Sequence, residues 1–256
     1  MVNYQEYYEN YWKNYWKNNS NLPIKLKKSF EKYIIKNPEN KILDIGCGDG
    51  QYYAKYIIPF AHEYIGLDIS YEAIGKFNEL KKEFPNVNVK GITHDVNKEF
   101  PFEKNYFDVV LWIENAEHLV FPLDTLKHIE KVLKPGGILI MTVPNTVQFW
   151  NRILFLFGFF NATGSPETGV RHTYRDPHLR FFNKLNLHNM FKETESMDIM
   201  EFGSAGNSPL LSGIPYLGKY FEWEQKYMAQ IISLLEKIRP SLFAGNFLVI
   251  AQKNKN

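Results

Sequence analysis

From residue 41 onward, short runs of apolar and β-branched residues alternate with longer stretches whose apolar positions recur every three or four residues. The short runs fall at 42–45, 64–67, 87–92, 107–113 and 138–143; the longer stretches include 71–83 and 123–133. A brief run that is apolar throughout reads as a strand covered on both faces, and the longer period reads as a helix. Strands separated by helices pair in parallel, because a parallel pair needs a crossover connection. Two later runs, 196–202 and 246–252, bring the strands to seven. The pattern predicts an α/β fold, a doubly wound, seven-stranded, mostly parallel sheet.

Three segments break the alternation. Residues 1–37 begin with a crowd of aromatics in which Tyr4, Tyr8, Tyr11 and Tyr15 share one helical face. That spacing predicts a helix, either packed on the domain or closing as a flap over a ligand. Residues 146–183 mix apolar, Gly/Pro and His/Arg-rich pieces, and 204–241 hold a helix-like stretch at 220–238. Neither carries enough apolar residues for a core of its own. Both read as lid-like insertions on a single domain, 1–256, whose central part is 38–145.

Composition narrows the setting. At 256 residues and 45% hydrophobic, the chain can bury one large core without disulfides or metals. A formal charge of +2 gives no reason to expect a nucleic-acid polymer as partner. The lone cysteine, Cys47, rules out an internal disulfide, and no basic-then-apolar leader opens the sequence, so a cytoplasmic location is expected. The most apolar run, 153–160, is far too short to span a membrane, which takes about 20 residues. It is either buried or in contact with a membrane surface. Oligomeric state is not encoded legibly.

The chemistry concentrates after the first strand. Asp44-Ile45-Gly46-Cys47-Gly48-Asp49-Gly50 sets three glycines at alternate positions behind an apolar strand. Such glycines allow a tight turn and close approach of a ligand to the backbone. In a dinucleotide-binding loop the third glycine would stand at 51, which is Gln51, so a nicotinamide enzyme is disfavoured. The acid Asp44 before the turn suits a positively charged ligand better than a pyrophosphate. The second strand ends in Asp68, where an acid in a doubly wound sheet accepts from ribose hydroxyls. Asp95-Val96 follows the third strand, where a carboxylate could receive an adenine amino group. Asp108 and Cys47 read as structural.

These elements, with 107–118 and the Lys134-Pro135-Gly136-Gly137 turn, resemble in order and spacing the class I methyltransferases that use S-adenosylmethionine (SAM), most closely over 38–145. The resemblance implies a Rossmann-like methyltransferase fold. It assigns Gly46, Gly48 and Gly50 to the methionine part of SAM, Asp68 to the ribose and Asp95 with Val96 to the adenine. Asp44, Ile69 beside the ring, and Ile113 at the end of the central strand complete the implied cofactor set.

Glu114-Asn115-Ala116-Glu117-His118 follows the central strand, on the side where a doubly wound sheet binds its ligands. If the pentad forms a helical turn, Glu114, Glu117 and His118 share a face. His118 is then the candidate general base, supported by Glu117 and Glu114. Alternatively the same three side chains hold a divalent cation such as Mg or Mn, or Glu114 and Asn115 line the cofactor pocket while His118 bonds locally. The Glu-x-x-Glu-His arrangement resembles that of ubiquinone-pathway O-methyltransferases, for which metal dependence is expected. In the insertion, His172, Tyr174, Arg175, His178 and Arg180 suggest a substrate site, since arginine recognises phosphate and carboxylate bidentately. Phe149, Trp150, Tyr174 and Trp223 are candidate pocket walls. The His178-Leu-Arg-Phe-Phe run is similar to methyltransferases of bacterial surface-polysaccharide clusters. Together these imply methyl transfer to oxygen or nitrogen of a small acidic acceptor, phosphorylated or nucleotide-linked. A quinone-like phenol is one alternative, and a SAM-binding partner subunit without turnover is another.

Overall fold

A computed structural model describes residues 5, 6, 9, 22–37, 39–158, 178–206, 208 and 218–255. Seven strands form one sheet: β1 (Lys41–Ile45), β2 (Glu63–Asp68), β3 (Asn88–Thr93), β4 (Phe107–Ile113), β5 (Leu133–Pro144), β6 (Met197–Ser204) and β7 (Asn246–Lys253). Their spatial order is β3-β2-β1-β4-β5-β7-β6. All neighbouring pairs are parallel except β7, which runs antiparallel to both β5 and β6. The expected strands all form. The main difference lies in β5, which starts at Leu133 because Leu133 pairs with Phe107, and the intervening turn is absorbed as an irregularity.

Alternation along the strands sorts side chains to two cores. Leu43, Ile45, Val110, Trp112, Leu139 and Met141 face one way. They are covered by Leu126 and Ile129 of α4 (Pro122–Val132) and by Leu187 and Phe191 of α6 (Lys184–Lys192). Ile42, Tyr64, Val109, Leu111 and Ile140 face the other way. Phe30 of α1 (Ile24–Phe30), Ile57 of α2 (Ala54–Ile57) and Phe77 of α3 (Tyr71–Glu83) cover them. Both faces are therefore dry, which is why the central strands carry no polar side-chain alternation. Asp108 serves the fold: its two oxygens accept from the Lys41 backbone N–H at 2.9 Å and from Lys134 Nζ at 2.7 Å.

Further helices are α5 (Phe149–Leu156), α7 (Phe221–Tyr227) and α8 (Ala229–Ile238), with a last turn α9 (Pro240–Phe243) before β7. The run at 153–160 is not simply buried, since Leu156 and Phe157 are largely exposed; 159 and 160 lie outside the described residues. Among the described residues no helix is long and apolar enough to cross a membrane. The chain leaves β1 toward β2 on one side and passes through β4 on the other. That reversal opens a crevice beyond the carboxyl ends of β1 and β4.

Candidate functional site

The loop after β1 is fixed by backbone geometry before any ligand is considered. Gly46, Gly48 and Gly50 all have left-handed φ, at +68°, +56° and +71°. The Gly46 and Cys47 N–H groups both donate to the Leu67 carbonyl, at 2.8 and 3.1 Å, tying the loop to the end of β2. A side chain at Gly46 has no room, since a Cβ there would stand 2.2 Å from Asn115 Nδ2. Cys47 is buried, and burial pushes its thiol far above the usual range, so it is not a nucleophile.

Asp68 closes this cradle. Its carboxylate accepts the Gly48 N–H at 3.0 Å and the Ser70 N–H at 2.9 Å. It is not the cap of α3, because Ser70 takes that role through the Ala73 N–H at 3.1 Å. Burial raises its pKa to about 6, against the opposing pull of those N–H groups. The described part of the N-terminal segment reaches the same place: Glu9 accepts from Ser70 Oγ at 3.0 Å and the Glu72 N–H at 3.1 Å. The aromatic residues expected to form the flap lie outside the described residues.

Gly46, Asp68, Ile69, Asp95, Val96, Asn97, Asn115, His118, Leu119 and Val120 line a cleft of about 600 Å³, counting space open to solvent. Asp95 Oδ1 is engaged in its own turn, accepting the Asn97 N–H at 3.1 Å and Asn97 Nδ2 at 3.0 Å. Asn97 is a cleft residue that the sequence reading missed, whereas Asn115 lines the cleft as one of the expectations for the pentad had it. Asn97 was signalled only by its place two residues after Asp95, in a turn that favours Asn and Asp.

Four expected cofactor residues are not among those lining the cleft: Gly48 and Gly50 of the loop, Asp44 and Ile113. Asp44 lies fully buried beneath the loop, with its oxygens accepting the hydroxyls of Tyr53 at 2.6 Å and Tyr64 at 2.7 Å. Burial raises its pKa to about 7, so it braces the loop from below rather than facing a charged ligand. Ile113 packs into the core between sheet and helices instead of bordering the cleft.

The acceptor side departs from the expected helical turn. Glu114 adopts φ +48°, which turns the chain out of the sheet before a single 3₁₀ turn at Ala116–His118. Its buried carboxylate swings back to β7, accepting from Asn246 Nδ2 at 2.8 Å, and burial raises its pKa to about 6. Glu114, Glu117 and His118 therefore do not share a face, and the expected metal trio is corrected accordingly. His178 takes Glu114's place. The Glu117 carbonyl accepts the Leu179 and Arg180 N–H groups at 2.8 and 3.0 Å, docking that segment on the 3₁₀ turn. The rings of His118 and His178 then meet with centroids 4.6 Å apart. Both Nε2 atoms lie 3.9 Å from Glu117 Oε1.

Burial sets the charge state of this cluster. Glu117 is 2% exposed; desolvation and the charge of Glu114 push its pKa well above the usual range, and its Oε2 has no hydrogen-bond partner. Burial lowers His178 to about 4, which holds it neutral. Arg180, expected to bind substrate, instead spends its guanidinium on the Val120 and Leu179 carbonyls at the cleft rim. Phe149 packs on Trp150 and Phe243 at the start of α5. Trp223 is 52% exposed on α7 and is not among the residues lining this cleft. His172, Tyr174 and Arg175 lie outside the described residues.

Comparison with known proteins agrees with this architecture. A methyltransferase-domain family matches residues 15–195. The ubiquinone biosynthesis O-methyltransferase of Saccharomyces cerevisiae is 25% identical over 139 residues, 53% of this chain and 44% of that protein. The demethylmenaquinone methyltransferase of Staphylococcus saprophyticus is 27% identical over 128 residues, 48% of this chain and 54% of that one. A sterol 24-C-methyltransferase of Gibberella zeae is 35% identical over 114 residues, covering 42% and 30%. The matched stretches thus span less than two thirds of these relatives. Among solved structures, the YcgJ protein of Bacillus subtilis superposes with a TM-score of 0.59 at 18% identity, over 91% of this chain and 98% of that one. A SAM-dependent methyltransferase of Archaeoglobus fulgidus does so with a TM-score of 0.58 at 16% identity, over 90% and 93%. The glycine loop, the acid closing β2 and the family match over most of the chain lead to one conclusion: this chain belongs to the class I SAM-dependent methyltransferases.

Proposed function

We propose that the chain transfers a methyl group from SAM to an oxygen or nitrogen of a small acceptor, with the insertions 146–183 and 204–241 forming the acceptor side of one domain. The observation that carries the cofactor assignment is the cleft in which a Cβ-intolerant glycine, Gly46, stands beside the buried acid Asp68. A bound SAM supplies the electrophilic methyl group. Asp68 keeps lone pairs free beside its two backbone donors for the ribose hydroxyls. Ile69, Leu119 and Val120 offer apolar surface to a flat ring, and Asp95 with Asn97 offers polar atoms at its edge.

On the acceptor side, His118 lines the cleft and takes the proton of the incoming hydroxyl or ammonium group. Glu117 Oε1 stands 3.9 Å from His118 Nε2, and neutral His178 packs against the same ring and limits its rotation. The preferred acceptor is a small acidic molecule, phosphorylated or nucleotide-linked, of the kind used in building surface glycans; the Arg- and His-rich composition of 171–180 supports this reading. Likeness to the ubiquinone and menaquinone enzymes supports a phenolic acceptor as the alternative.

Calorimetry with SAM and its demethylated product tests the cofactor half: Asp68→Ala should weaken binding at least tenfold, and unchanged affinity would overturn the ribose role. Turnover on pooled acceptors with radiolabelled SAM tests the other half. A second reading gives Glu117, His118 and His178 to a divalent cation. It is favoured by donor atoms all within 4.8 Å of one another and by the unpartnered Glu117 Oε2. Loss of turnover in chelator, restored by Mn²⁺ or Zn²⁺, would favour that reading over the free base.

A further inference from the structure

The outer face of the α7–α8 unit has no role in the cleft, yet its composition is ordered. Tyr220, Trp223, Tyr227, Ile231, Leu234 and Ile238 follow one another at steps of three or four, which sets them in one stripe along a helix. All six are exposed, from 45% for Tyr220 to 65% for Ile238. The backbone bends at Met228 (φ −114°, ψ 5°), where α7 ends and α8 begins. The Met228 N–H still donates to the Glu224 carbonyl at 2.8 Å and the Ile232 N–H to the Met228 carbonyl at 3.0 Å, so hydrogen bonds bridge the bend and exposed apolar positions continue on both helices.

The helix cannot roll to hide this stripe. Its opposite face is anchored by Ile232 and Glu236, 5% and 2% exposed, and the Glu236 carboxylate is paired with Lys25 of α1. Turning the stripe inward would expose Ile232 and break a nearly buried ion pair.

Charge runs beside the apolar positions. Lys219, Lys226 and Lys237 each precede a stripe residue, so they line one border of it. Lys219 and Lys226 lie over the rings of Tyr220 and Tyr227, at 5.1 and 5.2 Å. Across 219–239 the exposed charges are Lys219, Lys226, Lys237 and Arg239 against Glu222 alone, because Glu224 and Glu236 are buried. Tyrosine and tryptophan favour the headgroup region of a bilayer, aliphatic side chains sink below it, and bordering lysines reach back to anionic headgroups. A charged border and a buried glutamate exclude insertion across a membrane but suit a helix lying flat on one.

We infer that α7–α8 docks this stripe on an anionic lipid surface, with the lysine border meeting the headgroups. The inference is independent of the acceptor and of the cofactor assignment. It is tested on the full chain by co-sedimentation with vesicles of phosphatidylcholine alone or with 30% phosphatidylglycerol. Wild type should partition onto the anionic vesicles and only weakly onto neutral ones. Ile231→Asn/Leu234→Asn should cut partitioning about tenfold or more by removing apolar contact. Lys226→Gln/Lys237→Gln should cut it on anionic vesicles only, with a smaller salt dependence. Far-UV circular dichroism and melting temperature should stay close to wild type in both variants, which reports that they fold without reference to the cofactor. Absence of wild-type partitioning would overturn the inference, as would equal partitioning of the Asn variant. So would sedimentation velocity showing a wild-type dimer that the Asn variant converts to monomer, because the stripe would then serve a second copy of the chain.

Discussion

Gly46→Ala, read together with Asn115→Ala, tests how the cofactor loop is held. Alanine at φ +68° carries a left-handed penalty of about 1–2 kcal/mol. Its Cβ would also meet Asn115 Nδ2 at 2.2 Å, Cγ at 2.5 Å and Cβ at 2.9 Å, so the Asn115 side chain must move. That side chain is in use: its Oδ1 accepts the indole N–H of Trp112 at 3.0 Å. Trp112 is fully buried, and leaving its N–H unpaired costs about 1–3 kcal/mol. Gly46→Ala should therefore destabilise by about 2–5 kcal/mol, lowering the melting temperature by about 2 °C for each kcal/mol in a chain of this size. Asn115→Ala alone breaks the same hydrogen bond and costs about 1–3 kcal/mol. In the double variant the bond can be lost only once, and the worst contacts vanish with the amide. Its loss of stability should equal or fall below that of Gly46→Ala alone. Urea unfolding of the four proteins gives the coupling directly, expected at about 1–3 kcal/mol below additivity. Losses that add to within about 0.5 kcal/mol would refute the claim that the glycine exists to make room for Asn115.

Other outcomes follow from the buried acids and the histidine pair. SAM affinity should fall as pH drops through about 6, where Asp68 takes up its proton and loses acceptor capacity; a flat calorimetric profile from pH 7.5 to 5 would count against its role. Asp44 has a folded pKa of about 7 against an unfolded value near 3.8, so its stabilising share is fully present below the unfolded value and is lost as pH rises through the folded one. Asp44→Asn should remove that decline, on the order of 4 kcal/mol between pH 4 and 7, as measured by unfolding across pH. His118→Ala should leave SAM affinity near normal and cut turnover by about a hundredfold or more. His178→Ala should reduce turnover less than His118→Ala does, and the reverse ranking in single-turnover kinetics would exchange their roles.

Much of the cofactor side could be read from residue identity, because local backbone demands are local in sequence. Glycines at alternate positions after an apolar strand have few uses besides a left-handed turn. An acid closing the next parallel strand necessarily ends beside that turn. The same reasoning failed where partners come from afar. Nothing near Asp44 announces that the hydroxyls of Tyr53 and Tyr64 will claim both its oxygens, and a buried acid and a ligand-facing acid look alike in one dimension. The helical turn assumed over 114–118 forms only at Ala116–His118, because a left-handed glutamate is rare enough that spacing alone predicts against it. His178 is brought to His118 across 60 positions in part by the Glu117 carbonyl and the two N–H groups that follow His178, a backbone contact with no compositional signature.

The reversed strand β7 explains why the far end of the chain belongs to the reacting side at all. Each parallel strand ends at the crevice, so a seventh parallel strand would have begun at the opposite edge and sent only its end there. Running antiparallel, β7 instead starts at the crevice, and Asn246 arrives beside Pro144 of β5 with its amide on Glu114. The turn before it is tied to the same edge, since the Asn145 N–H donates to the Gly245 carbonyl at 2.8 Å and Asn145 Nδ2 to the Ala244 carbonyl at 2.8 Å. β6 ends and β7 begins at this same edge, where Ser204 pairs with Phe247. The described ends of 204–241 are tied there, since the Ala205 N–H donates to the Asn246 carbonyl at 3.0 Å and the Gly245 N–H to Ser208 Oγ at 2.7 Å. Farther along, Glu236 pairs with Lys25 and Ile232 is buried, so the inner face of α8 is held while the outer face of α7–α8 stays exposed.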